Sequence, residues 1–343
     1  IQSMKAVMDY DEADKITREY LDKKGDKKEV SRYVAQKKYM DSVAKAKPLY
    51  TIKNLDINTS KSDFGATFFK DNIVFTSARD TTSFSDKLYT WNNQPFLNLY
   101  FAERNPADGS LFNETVFLPN VMTKYHEATA SFDSQGKIIY YSTNIVKKNK
   151  LVVDEAKVNN FQIIKGSIVD NKLENPQKVF FDSDEYSVGH PALSDDGQWL
   201  FFASDMPGGY GETDLYVVKI AADGTMSSPK NLGPNINTIG NEVFPFFQNG
   251  ILYFSSDGHY GWGDLDVYES KFLADGNFSS PKNLGAPINS NKDDFSFIID
   301  KVKTNGYFSS NRAGGKGDDD IYSFVKGKPV CNQSISGMAI DHK

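Results

Sequence analysis

The stretch Gly306-Tyr307-Phe308-Ser309-Ser310-Asn311-Arg312, followed by Ala313-Gly314-Gly315-Lys316-Gly317-Asp318-Asp319-Asp320-Ile321-Tyr322, decides the fold. It is an apolar run closed by serines, then a glycine-rich loop, then Asp-x-Tyr. The same order stands upstream at Ile251-Leu252-Tyr253-Phe254-Ser255-Ser256 with Asp266-Val267-Tyr268, and at Leu200-Phe201-Phe202-Ala203-Ser204 with Asp214-Leu215-Tyr216. A second string locks the register: Ser227 to Gly233 and Ser279 to Gly285 both read SSPKNLG, each preceded by Ala-Asp-Gly at Ala222 and Ala274. Two weaker units precede these, Ile73 to Arg79 with Asn98-Leu99-Tyr100, and Ile138 to Asn144 with Phe161 to Ile164.

Each unit holds four short β-like stretches, for example Phe244-Pro245-Phe246-Phe247, the serine-closed run, the Asp-x-Tyr run and Lys-Asn-Leu. Four strands in a repeat of roughly 40–60 residues mark a propeller blade. The expected fold is mainly β, a five-bladed β-propeller over 48–326, with six blades as the alternative count. The fifth unit lacks its own Lys-Asn-Leu strand, and Lys53-Asn54-Leu55 precedes the first unit, so the N-terminal strand is expected to close the ring and cover its open edges.

Residues 1–47 are charged and poor in glycine. Ile1, Met4, Met8, Ala13, Ile16 and Tyr20 fall near helical spacing, Gly25 interrupts, and Val30 to Ala44 start a second stripe that Pro48 ends. An antiparallel helical pair of tetratricopeptide type is expected, either ending a helical array or packed on the ring. At the far end, 327–343 reads as a linker and, from Ile335, the first strand of a further module, so the chain is expected to continue past Lys343.

The whole chain is 343 residues with 39 Lys+Arg, 45 Asp+Glu and a formal net charge of −6, which argues against nucleic acid as a main partner. Its 25 Phe, 18 Tyr and 25 Gly suit short strands and tight turns. No apolar run approaches the roughly 18 residues of a transmembrane segment. Cys331 is the single cysteine, which excludes an internal disulfide, and His126, His190, His259 and His342 lack paired ligand spacing. No phosphate-loop or nucleophile-elbow motif occurs, so no cofactor, metal site or catalytic residue is expected.

Ser309 to Tyr322 resembles the TolB-like propeller repeat. With a helical-repeat end before the ring and Ile335-Ser336-Gly337 to Asp341 after it, which looks like the first strand of a carboxypeptidase-regulatory-like domain, the arrangement is similar to OmpA-family, PorE-like envelope proteins of Bacteroidota. That resemblance implies a periplasmic, outer-membrane-associated location. It also implies partners among outer-membrane β-barrels of type IX secretion or gliding machinery, with peptidoglycan held by a C-terminal domain that this sequence lacks. The expected function is a non-catalytic scaffold, not an enzyme. The alternative is a carbohydrate-active propeller using axial carboxylates.

In a four-stranded blade the loop between strands two and three opens on the same face as the crossover into the next blade. The loops Asp80 to Phe96, Val146 to Asn160, Met206 to Thr213 and His259 to Gly263 therefore share a face with the residues that open the innermost strands. The expected docking surface is rimmed by Trp91, Tyr210, Tyr260 and Trp262, with Asp63, Glu127, Glu242 and Asp294, and His190 at the third blade, near the axis. The bland reading of these carboxylates is that they accept backbone hydrogen bonds at the crossovers. Asp214, Asp266 and Asp320 are expected to latch the glycine-rich loops, and Asp318 to Asp320 to be a solvated acidic turn.

Overall fold

The computed structural model describes residues 1–25, 27–45, 47–79 and 88–328. The expected module after the ring, Cys331, His342 and the loop tip 80–87 lie outside these residues. Five four-stranded antiparallel sheets form the ring. In order from the axis, blade 1 is Asp63–Phe69, Asn72–Ser77, Asn98–Arg104 and Leu111–Val116. Blade 2 is Glu127–Phe132, Ile138–Asn144, Phe161–Val169 and Lys172–Lys178, with a small hairpin, Val146–Lys147 and Lys150–Leu151, in its long loop. Blades 3 and 4 begin at Val188–Leu193 and Glu242–Gln248 and end in the two-residue strands Lys230–Asn231 and Lys282–Asn283. Blade 5 runs Asp294–Ile299, Asn305–Ser310 and Asp320–Lys326, and takes Tyr50–Asn54 as its outer strand, in register from Tyr50 opposite Lys326 to Asn54 opposite Tyr322.

The second strands are buried along nearly their whole length because both of their faces meet a neighbouring blade. Their side chains feed apolar clusters between blades, such as Phe201, Leu215, Leu252 and Phe254, or Tyr253, Phe297, Phe308 and Phe324.

The N-terminal segment forms three helices, α1 (Gln2–Ala6), α2 (Tyr10–Lys24) and α3 (Lys27–Val43). The apolar stripe through Met4 and Met8 does not continue into α2, because Met8 turns left-handed (φ 63°) and Asp9 caps the next helix by accepting from Glu12 N. Gly25 ends α2 in the left-handed conformation at φ 74°. The helices pack on the ring: Gln36 bonds the His259 ring and accepts from Tyr260 N, Arg32 reaches the Pro234 carbonyl, and the Asn291 amide donates to the Ala6 carbonyl. No described helix is long and apolar enough to cross a membrane.

Candidate functional site

The channel along the ring axis has two unlike ends. At the crossover end stand the first residues of the innermost strands. Asp63, Glu127, Glu242 and Asp294 are at most 1% exposed. Each is held by a hydroxyl residue four positions back, which the repeat reading missed. Asp63 accepts from Thr59 N at 2.6 Å and Thr59 Oγ1 at 2.8 Å, Glu242 from Thr238 N and Oγ1 at 2.7 Å, and Asp294 from Ser290 N and Oγ. Glu127 does the same with Thr123.

The closing serine of the second strand adds a further donor, Ser77 to Asp63 at 2.5 Å and Ser256 to Glu242 at 2.6 Å. In blades 1 and 5 an arginine completes the cage. Arg79 donates to Asp63 at 2.7 Å and lies over Phe75 and Tyr100; Arg312 donates to Asp294 and lies over Phe308 and Tyr322. The Ser-x-Arg of blades 1 and 5, Ser77-Ala78-Arg79 and Ser310-Asn311-Arg312, is thus a structural clamp. Glu127 and Glu242 have no such cation, and burial pushes them up to about 8 and about 7, so near neutral pH Glu127 is mostly protonated and Glu242 titrates.

These groups cannot meet a partner from solvent, which corrects their placement on a docking surface and removes them from the axial glycosidase alternative. His190 is corrected too. Val188, opposite Ser204, holds the first position of blade 3, and His190 lies two residues further along the strand.

That third position is special in every blade. Gly65, Thr129, His190, Phe244 and Ser296 all have φ between 35° and 67°, each at a β-bulge where pairing with the second strand shifts register. The bulge turns a backbone N–H toward the preceding blade. Gly65 N bonds Ser309 Oγ, Thr129 N bonds Thr76 Oγ1, and His190 N bonds Ser142 Oγ. The paired hydroxyls of Ser309-Ser310 and Thr76-Ser77 therefore divide their work between two blades.

Of the aromatic rim, Trp91 is 88% and Tyr210 51% exposed. Tyr260 lies under the helices, its ring edge-on to Tyr33 at 5.0 Å, and Trp262 is half-buried in the same loop. Half of the expected docking rim is thus internal. Asp214 accepts from Tyr210 N, Gly211 N and the Asn231 amide, and Asp320 from Lys316 N, Gly317 N and the Asn54 amide. Asp266 departs from this pattern: Gly263 N bonds one oxygen, while the other oxygen and the Asn283 amide nitrogen have no hydrogen-bond partner. Burial raises Asp266 to about 8, partly offset by Lys5 of α1, whose ammonium donates to the Gly263 carbonyl. The acidic turn is not freely solvated, because Asp318 bonds the Gln94 amide and burial raises Asp319 to about 6.

Past the bulges, the channel opens. Phe64, Phe244 and Phe295 meet across the axis at ring separations of 4.9 to 6.4 Å, and His190 packs on Phe244 at 4.0 Å. Beyond them lies a cavity of about 510 Å³, walled by the second halves of all five innermost strands and by the turns that follow them. Its wall combines Phe68, Phe244 and Phe246 with Thr129, Ser131, His190 and Gln248. Its rim carries Lys70, Asp71, Asp133, Asp195 and Lys301. Asp133 is fixed by accepting from Lys137 N at 2.6 Å and Ile138 N at 2.8 Å, while Asp71 is exposed and bonds nothing among the described residues.

No protein-family model matches the chain, and no curated protein does. Solved structures do. A glycoside hydrolase is 7% identical with a TM-score of 0.50, over 90% of this chain and 99% of that one. A thermostable family-43 glycoside hydrolase is 10% identical with a TM-score of 0.48, over 84% and 100%, and an α-L-arabinofuranosidase from Lactobacillus brevis is 11% identical with a TM-score of 0.47, over 88% and 99%. At such identity the likeness establishes the propeller fold. The expectation of a non-catalytic envelope scaffold that is no enzyme is corrected on the first of these: the solved chain that matches at a TM-score of 0.50 is a glycoside hydrolase, and the scaffold reading is not kept.

Proposed function

We propose that the chain is a carbohydrate-active propeller whose sugar site is the open cavity at the hairpin end of the channel. The observation that carries this is the cavity itself. Its size lies within the roughly 300–1,000 Å³ of small-molecule sites, and it joins apolar ring faces with a few convergent polar groups, the combination a sugar ring and its hydroxyls require. The glycoside hydrolase likeness supports the reading without assigning residues.

Glycoside hydrolysis needs two carboxyl groups flanking the scissile bond. Asp71 and Asp133, from the turns of adjacent blades, take these roles. Asp71, on the open rim, gives a proton to the departing oxygen as the C–O bond breaks and takes one back from solvent. Asp133, held by two backbone N–H groups, activates the water that adds to the sugar carbon, and the proton it accepts returns to solvent. The TolB-like repeat supports a periplasmic location, where envelope glycan is at hand and where exposed Trp91 and Tyr210 would contact an outer-membrane partner.

The test is reducing-end release from a panel of β-linked glycans, including peptidoglycan fragments. Turnover in the native chain, falling about 100-fold or more in Asp71→Asn and Asp133→Asn, is the expected result. Absence of both binding and turnover for every glycan in the panel would overturn the proposal.

A further inference from the structure

The chain contains five arginines, all among the described residues, and four of them face carboxylates. Arg18 pairs with Asp14, Arg32 with Glu29, Arg79 with Asp63 and Glu114, and Arg312 with Asp294. Arg104 has no carboxylate partner among the described residues, yet it is not a loose surface side chain. It ends the third strand of blade 1, half-buried, and lines the cavity. Its guanidinium lies over the Phe68 ring at 5.6 Å, and its Nε donates to Tyr307 Oη at 3.2 Å. Tyr307 is itself fixed, donating to the Gly109 carbonyl at 2.8 Å from a fully buried ring. Blades 1 and 5 therefore aim one guanidinium while leaving its two terminal nitrogens without a described partner.

A planar fork held by a ring face and one hydrogen bond has already lost most of its rotamer freedom, so an arriving anion need not order it. The geometry matches a carboxylate, which can take both terminal nitrogens at once. Lys70 and Lys301 stand on the same rim and add positive charge. The rim carboxylates, Asp71, Asp133, Asp195 and Asp300, come from other turns, and none forms an ion pair with Arg104.

We infer that Arg104 is the specificity-determining group of the cavity and that the sugar it selects carries a carboxylate. This rests on the carbohydrate reading of the cavity and names the class of sugar. Two carboxylated sugars share the chemistry, a uronic acid and a sugar bearing a lactyl ether, so the probes are matched pairs that differ only by the carboxylate. They are cellobiouronic acid against cellobiose, and N-acetylmuramic acid against N-acetylglucosamine.

Binding of each is measured by calorimetry to the native chain, Arg104→Lys and Arg104→Met, with thermal melts confirming that the variants fold. The native chain is expected to bind the acidic member of at least one pair about tenfold or more tightly, the scale of a charge-assisted hydrogen bond. Which pair shows the preference identifies the source. Arg104→Met should lower the acidic sugar to the affinity of its neutral partner and leave the neutral sugar unchanged, with Arg104→Lys between. The preference should weaken with added salt.

Equal affinity for acidic and neutral sugars in the native chain would overturn the inference while the carbohydrate reading stands. So would a preference that survives Arg104→Met. If no sugar binds, but citrate does and is lost in Arg104→Met, the cavity is an anion site and both the carbohydrate reading and this inference fall.

Discussion

The two ends of the axial channel are built from the same five strands, a few residues apart, and they differ in what they do with polar groups. At the crossover end the four carboxylates that open innermost strands are buried, each held by a hydroxyl residue four positions back, in blades 1 and 4 also by the serine of the second strand, and in blades 1 and 5 by an arginine. At the hairpin end Asp71 and Lys301 are exposed, and Arg104 is aimed but unpaired. The regular end is the structural one. A carboxylate that returns in four of the five blades with its own partners is solving a problem the blades share, the turn from an outer strand into the next inner strand. The irregular end, where each turn contributes a different side chain, is where a unique ligand can be recognised.

The sharpest way to break this comparison is to remove one acid from each end. Asp63→Ala takes the buried carboxylate from Arg79, leaving it only the partly exposed Glu114, and is expected to cost about 3 kcal/mol. Asp71→Ala, at the exposed rim, should lie within about 0.5 kcal/mol of the native chain. Urea unfolding of the two variants reads the difference directly. Similar losses from both, or a loss below about 1 kcal/mol for Asp63→Ala, would mean that the crossover cage is not a stability element.

The uncaged glutamates sharpen the contrast through pH. Glu127 and Glu242 are raised in the fold to about 8 and about 7. The folded chain then holds protons that the unfolded chain has released, so their contribution is full below the ordinary glutamate range and is lost as pH rises through the folded values. Burial lowers His126 and His190 to about 4 and His259 to about 3, which works in the opposite sense: unfolding takes up protons, and stability is lost as pH falls below about 6.5. The two effects oppose one another below that point. Between pH 6.5 and 8 the two glutamates act together with Asp266, raised to about 8, and Asp182, raised to about 7, and the glutamates' own share of the fall in stability should be about 2 kcal/mol. Glu127→Gln with Glu242→Gln should flatten that decline in thermal melts. An unchanged slope would show that these glutamates are already ionised in the fold.

The helices extend the comparison, since they seal part of the crossover face and leave the hairpin end open. Tyr33 gives Tyr260 an edge-on ring contact and donates to Asp14 at 2.8 Å, joining α3 to both α2 and the blade 4 loop. Tyr33→Ala is expected to cost about 1–2 kcal/mol. It should also raise amide exchange at His259 to Gly263 without changing exchange at the turns of the cavity rim. Equal acceleration at both ends would mean that the helices brace the whole ring.

Much of this was legible in the repeats, and the part that was not has a physical reason. Four strands per unit could be read because blades bury the same positions repeatedly, as at Phe202, Phe254 and Phe308. The partners of the crossover carboxylates were also visible, as Thr59, Thr123, Thr238 and Ser290 four residues upstream, but they sit in the crossover turns outside any strand, so no apolar period points to them. His190 was taken for the entry residue, two positions along the strand from Val188, because Val188 replaces the acid in blade 3 and an apolar substitute leaves nothing polar to align. Arg104 could not be read at all. It belongs to a degenerate unit, and its role depends on Phe68 and on Tyr307, which is distant in sequence and brought alongside only when the ring closes.

The smallest expected effect tests the device that separates the two ends, the left-handed residue at each bulge. Gly65 takes this conformation at φ 67° without a side chain, whereas blades 2 to 5 hold Thr129, His190, Phe244 and Ser296 there. A Cβ on Gly65 would approach Thr76 Oγ1 to 3.2 Å, and Thr76 Oγ1 is the acceptor that holds Thr129 of the next blade. Gly65→Ala should therefore cost about 1–2 kcal/mol, from left-handed backbone strain with a small shift of that hydroxyl. Thermal melts give the cost. If it exceeds about 3 kcal/mol, the position also carries blade-to-blade coupling through Thr76, and Thr76→Val should then lower stability by an amount that does not add to it. If the two costs add, each bulge is a local solution, and the ring is held by five independent joints.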